Sequence, residues 1–113
     1  MHEFSLAQNI VEIVEDAVAR NNASKATEVI VEIGKLAGVE FEALKTAIEA
    51  WQPGTLLEGA EIHYVTKESL AKCRQCGTQF SPDSLFTPCP RCNAYGCEVI
   101  EGKELLVKSI TAE

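Results

Sequence analysis

Two Cys-x-x-Cys pairs, Cys73-Arg74-Gln75-Cys76 and Cys89-Pro90-Arg91-Cys92, flank a stretch that contains Gly77, Pro82, Asp83 and Pro88. This is the spacing of two metal knuckles joined by a loop. Within each pair the chain must curl so that both sulfurs meet one ion, and the next residue is then pushed toward the left-handed region. Gly77 and Asn93 are the residue types that enter it at least cost. Four thiolates on one tetrahedral ion leave no open coordination position, so Cys73, Cys76, Cys89 and Cys92 are expected to hold a closed, structural zinc rather than a catalytic one. Tetrahedral sulfur also suits iron of the rubredoxin type, which a red colour would reveal. Four reduced cysteines packed as small hydrophobes are the remaining alternative. Cys97 falls outside both pairs and reads as a packed residue or a spare thiol.

The chain has two histidines, His2 and His63. It opens Met1-His2-Glu3, and a free α-amine, the His2 imidazole and the backbone nitrogens of His2 and Glu3 can reach one metal together. Such planar, nitrogen-rich sets suit nickel or copper. A frayed terminus with an incidental histidine is the plainer alternative. His63 reads as a solvated polar residue on a strand face beside Glu61. Enzyme motifs are absent: Gly34-Lys35 and Gly102-Lys103 lack the upstream glycine and following Ser or Thr of a phosphate-binding loop. There is no local cluster of base and nucleophile.

Composition limits what these groups can serve. At 113 residues with 46% hydrophobic content, the chain is one ordinary domain, or a compact domain with a small added module. No apolar run approaches the roughly 18 residues of a membrane helix, and an N-terminus carrying Glu3, Glu12 and Glu15 lacks a basic signal flank. A cytoplasmic protein is expected, where five cysteines are poor disulfide material. The formal charge is -7, and a zinc tetrathiolate makes it more negative, so contact with nucleic acid is disfavoured. Lys72, Arg74 and Arg91 then serve to offset the negative site.

Helices and strands must position these residues. Leu6, Ile10, Ile13, Val14 and Ala17 recur at helical spacing; Ser5 with Gln8 resembles a capping box, and Asn21-Asn22 end the helix. Thr27, Val29, Val31 and Ile33 alternate with Glu28, Ile30, Glu32 and Gly34, the period of a β-strand. A second helix carries Phe41, Leu44, Ile48 and Trp51 on one face and closes at Pro53-Gly54. Residues 60–65 and 105–110 are the remaining strand candidates. The last lies beyond the cysteines and most simply returns to the first sheet; a hairpin through Glu101-Gly102-Lys103 within the zinc module is the competing arrangement. The expected fold is α+β: a small mixed sheet covered by two helices, residues 1–68 plus 102–113, with an inserted four-cysteine, zinc-ribbon-like module at 69–101.

Met1-His2-Glu3-Phe4-Ser5-Leu6, Val31-Glu32-Ile33-Gly34, Leu57-Glu58-Gly59-Ala60-Glu61-Ile62, the two cysteine pairs and Gly102-Lys103-Glu104-Leu105 together resemble the hydrogenase nickel incorporation protein HypA family (HypA/HybF). The likeness runs from Met1 to about Ile110. It implies a nickel metallochaperone, not an enzyme, with nickel at Met1, His2 and Glu3 and structural zinc at the four paired cysteines. It also implies delivery to the [NiFe]-hydrogenase large subunit together with the GTPase HypB, which fits the missing phosphate loop. Some members of the family serve urease as well, and some are homodimers. A zinc-ribbon adaptor or nucleic-acid module with no nickel role is the alternative from a different class.

Overall fold

The computed structural model describes residues 2–113. In chain order the elements are α1 (His2–Arg20), β1 (Ala26–Gly34), α2 (Phe41–Trp51), β2 (Glu61–Lys67), β3 (Leu70–Cys73), β4 (Gln79–Phe80), β5 (Cys97–Glu101) and β6 (Leu105–Ala112). Among the described residues the strands make two three-stranded sheets, ordered β2-β1-β6 and β4-β3-β5. The α+β class read from the sequence holds. The chain divides into two compact units.

The first unit takes in the chain up to Glu32, Val39–Val65 and Leu106–Glu113. Helix α1 buries Ala7, Ile10, Val11, Val14 and Val18, one stripe at three- and four-residue spacing. Its C-terminus unwinds where Asn22 takes φ 57, and the Asn21 side chain caps the Ala17 carbonyl at 2.7 Å. Two details of the sequence reading are corrected. Ile13 lies on the flank of the buried stripe and is 51% exposed, while Val11 and Val18 fill the core. Ser5 is no cap, because the helix already runs from His2 and carries Ser5 exposed on its surface.

Helix α2 packs on α1 and contributes Leu44, Ala47 and Ile48 to the core. The Phe4 and Trp51 rings meet at 5.2 Å between the two helices. Glu40 caps α2 by accepting the Ala43 N–H at 2.7 Å. After the helix, Gln52 donates from Nε2 to both the Leu57 and Ala60 carbonyls, at 3.0 and 3.1 Å, fixing the loop that leads into β2. Strand β1 sits in the middle of its sheet with Val29 and Val31 fully buried. Its start runs antiparallel to β6: Lys25 and Glu113 exchange backbone hydrogen bonds, and Thr27 Oγ1 donates to the Thr111 carbonyl. β2 runs parallel to β1 after the α2 crossover, since Glu28 stands beside His63 early in the pair and Lys35 N–H donates to the Lys67 carbonyl late in it. The sheet is therefore mixed.

The second unit takes in Ile33–Gly38 and Thr66–Leu105. β3 is antiparallel to β4 on one side and to β5 on the other, with Cys73 opposite Cys97. Its interior is small: Ser69, Ala71, Cys73, Pro82 and Cys89 are buried, whereas every fully buried Leu, Ile and Val belongs to the first unit. Ser69 Oγ–H donates to the Pro82 carbonyl and ties the long loop to the sheet. The competing hairpin is not formed. Glu101-Gly102-Lys103 instead passes the chain from β5, paired with β3, to β6, paired with β1.

Candidate metal centres

Each cysteine pair is built on the same backbone turn. In the first, Cys73 N–H donates to the Thr78 carbonyl at 2.9 Å and Gly77 N–H donates to the Cys73 carbonyl at 3.0 Å. In the second, Cys89 N–H donates to the Ala94 carbonyl at 2.9 Å and Asn93 N–H to the Cys89 carbonyl at 2.9 Å. The residue after each pair is left-handed, φ 75 at Gly77 and φ 61 at Asn93, as the spacing predicted. The first cysteine of each pair is buried and the second exposed.

These turns bring Cys73, Cys76, Cys89 and Cys92 together, their sulfurs all within 4.8 Å of one another. The Cys73–Cys92 and Cys76–Cys89 Sγ separations are both 3.6 Å. A zinc–sulfur bond of about 2.3 Å gives a tetrahedral edge of about 3.8 Å, so the four sulfurs already stand near the corners that zinc requires. Donor set and geometry both fit the ion. Neighbouring dipoles favour thiolate: backbone N–H groups of Cys76 and Gln75 lower the Cys73 thiol, and the Thr78 hydroxyl, 3.1 Å from Cys76 Sγ, is the main cause that brings Cys76 to about 6. Arg91 N–H donates to Cys89 Sγ at 3.4 Å. Cys92 goes the other way. The Ala94 N–H lowers it, but burial and the three neighbouring sulfurs outweigh that and push it to about 11. Protein dipoles alone do not favour the Cys92 thiolate, and a divalent cation held by the four sulfurs would supply the missing charge. Lys72 and Arg74 line a recess over the first knuckle together with Glu98. Cys97 is half-buried on β5 and outside the four-sulfur cluster.

The second set of sequence candidates is at the start of α1. His2 begins the helix with a side chain 64% exposed, its Nδ1 3.5 Å from Glu3 Oε2. Backbone N–H groups in the first turn of a helix have no carbonyl four residues back, so those of His2 and Glu3 make no helical hydrogen bond. Glu3 Oε2 accepts the Glu40 N–H at 3.2 Å, and this contact is the main reason its carboxyl is held below the usual range. The Glu3–Glu40 link had no sequence signal. Met1 lies outside the described residues. His63 is not brought to His2 among the contacts described; it stands between Glu28 and Glu61.

Compared with known proteins, residues 1–112 match the family described as hydrogenase/urease nickel incorporation, metallochaperone, hypA. The hydrogenase maturation factor HypA of Parabacteroides distasonis is 44% identical over 112 residues, covering 97% of this chain and 96% of that protein. The protein of the same name from Geobacter sp. strain M21 is 42% identical over 113 residues, with both chains covered completely. Among solved structures, the solution structure of the Ni metallochaperone HypA from Helicobacter pylori superposes with a TM-score of 0.73 at 22% identity, over 97% of this chain and 96% of that one. A second HypA solution structure gives 0.74 at 23% identity, over 100% and 97%. These two establish a shared fold.

Proposed function

The chain belongs to the HypA family of hydrogenase/urease nickel incorporation metallochaperones, and from that premise we propose that Met1, His2 and Glu3 hold the Ni(II) it carries for hydrogenase maturation. The observation that carries this reading is the placement of His2 and Glu3 in the first turn of α1, with an exposed imidazole and backbone nitrogens not committed to the helix ladder. Nickel is bound by the α-amine of Met1, the His2 imidazole and the backbone nitrogens of His2 and Glu3. The Glu3 carboxylate, engaged by Glu40 N–H, orients the terminus. Loading releases protons from the amine and amides; reprotonation at these nitrogens is the route to release.

Zinc on Cys73, Cys76, Cys89 and Cys92 is structural and independent of the cargo; it holds the inserted module, residues 69–101, while residues 1–68 plus 102–113 form the nickel-binding domain. The protein has no catalytic role of its own in this reading. Nickel passes to the [NiFe]-hydrogenase large subunit with the GTPase HypB as partner, in the cytoplasm, the chain itself acting as monomer or homodimer; urease is the second target class. HypB supplies the nucleotide hydrolysis for which this chain has no phosphate loop. The test is hydrogenase activity in cells lacking their own copy of the factor. The native chain is expected to restore it and His2→Ala to fail unless the medium is flooded with nickel. Equal rescue by both chains at low nickel contradicts the assignment.

A further inference from the structure

The first unit carries a second group of metal-ligating side chains, none of them a cysteine. Glu28 lies on β1, and Glu61 and His63 lie two residues apart on the neighbouring strand β2, hence on one face of the sheet. One donor atom from each falls within 4.8 Å of the other two. His63 Nε2 is 3.5 Å from Glu28 Oε1 and 3.5 Å from Glu61 Oε2.

Those two distances leave room for an ion between the donors. A charge-assisted hydrogen bond from an imidazolium to a carboxylate closes to about 2.7–2.9 Å, and neither contact does. An ion bound at about 2.1 Å to nitrogen and oxygen sets its ligand atoms about 3.4 Å apart along a tetrahedral edge. The imidazole is spaced from both carboxylates as an ion between them would space it. The donors come from adjacent hydrogen-bonded strands, so the backbone that carries them is held by the sheet and not by a mobile loop.

We propose that Glu28, Glu61 and His63 form a second, solvent-open site for a divalent first-row transition ion. One imidazole and two carboxylates are borderline donors, suited to Ni(II), Co(II) or Zn(II); they offer too few oxygens for Ca(II) and no sulfur for Cu(I). Two carboxylate charges match the dication. His63 is 49% exposed and Glu61 76%, so the remaining coordination positions are open to water and the ion exchanges readily. The chain then takes up a second equivalent of nickel, more weakly held than the first, at a place that requires neither Met1 nor His2.

The test uses the full-length, zinc-loaded protein carrying His2→Ala and Ni(II) alone as the probe. Calorimetry is expected to show one remaining equivalent of nickel binding, and NMR to show the His63 ring signals shifting or broadening in step with it. Glu28→Gln and Glu61→Gln keep side-chain size and strand structure, and each is expected to weaken this binding about tenfold or more; His63→Ala is expected to abolish it. His63 ring signals unmoved by excess nickel, or unchanged affinity in both glutamine variants, overturn the proposal. The N-terminal site is read separately by His2→Ala in the presence of His63→Ala, so either site fails or stands without the other.

Discussion

Gly34 and Gly102, the two glycines that precede lysines without making a phosphate loop, are predicted to be irreplaceable for a steric reason. They stand back to back. A Cβ on Gly34 would run into the Gly102 carbonyl and sit 2.9 Å from the Glu104 carbonyl oxygen, and both obstacles are backbone. Relief requires parting segments joined by Gly34 N–H to Glu104 O at 2.8 Å and Leu36 N–H to Gly102 O at 2.7 Å. Each such bond is worth about 0.5–1.5 kcal/mol and overpacking about 1–3 kcal/mol, so Gly34→Ala should destabilise this region by about 2–6 kcal/mol. Gly102→Ala should be as harmful: its Cβ would lie 2.7 Å from Ser69 Cα, on a residue at φ 91. Gly38 is the control, because at φ 71 it has nothing within 4 Å of a Cβ and Gly38→Ala should cost only the left-handed backbone, about 1–2 kcal/mol. Hydrogen exchange of the Leu36 amide, with urea unfolding of the zinc-loaded protein, measures all three. A Gly34→Ala cost no greater than that of Gly38→Ala would refute the steric argument.

Removing a zinc ligand by Cys76→Ser or Cys89→Ser should cost the ion and, with it, exchange protection of β3 and β5, while α1, α2 and β1 keep theirs. The apparent zinc energy of about 10–16 kcal/mol has no counterpart in so small an interior; full zinc occupancy by metal analysis in either variant would sink the assignment. Tyr64→Phe should leave stability equal or about 1 kcal/mol higher, since the buried Tyr64 hydroxyl has no hydrogen-bond partner among the described residues and its ring contact with Phe41 survives. Burial, then the charge of Glu49, pushes the Tyr64 hydroxyl up to about 12, so the native chain should lose stability as pH rises from the ordinary tyrosine value near 10 toward 12. Urea midpoints across that range should fall for the native chain and stay flatter for Tyr64→Phe. Charge reversal at Glu12 and Asp16, both exposed on α1, should weaken binding to the proposed GTPase partner with nickel affinity unchanged, as read by surface plasmon resonance. Glu15 is a poorer choice there, since its carboxylate accepts the Leu56 N–H.

What the sequence made legible was local chemistry. The cysteine knuckles could be read because their geometry is set within six residues, including the left-handed positions at Gly77 and Asn93. The strand alternation through Val29 and Val31 and the helix ends at Asn22 and Gly54 were visible for the same reason. Contacts between distant segments were not. Ile13 looked like core because periodicity does not say how wide a face the second helix covers, and Ser5 looked like a cap because the motif fits a helix that starts one turn later. The partnership of Gly34 with Gly102, the Glu3–Glu40 link and the arrival of Glu28 beside His63 all depend on strand order and loop return. No residue spacing encodes those. The same holds for Ile33–Gly38, which lies far from the cysteines in sequence and within their compact unit.

The nickel assignment depends on a free amine at the first atom of the chain. Adding five residues before Met1 converts that amine to an amide, carries the new terminal amine out of chelating reach of His2, and leaves His2, Glu3 and all four paired cysteines chemically intact. An unperturbed α-amine titrates near pH ~7.7–8.0 and gives up its proton to a metal at neutral pH, which an amide nitrogen does far less readily. Calorimetric titration of nickel into native and extended protein, in the His63→Ala background, isolates this site. The expected result is loss of one-to-one nickel binding in the extended chain with zinc content unchanged. Nickel bound as tightly by the extended protein as by the native one would contradict the account.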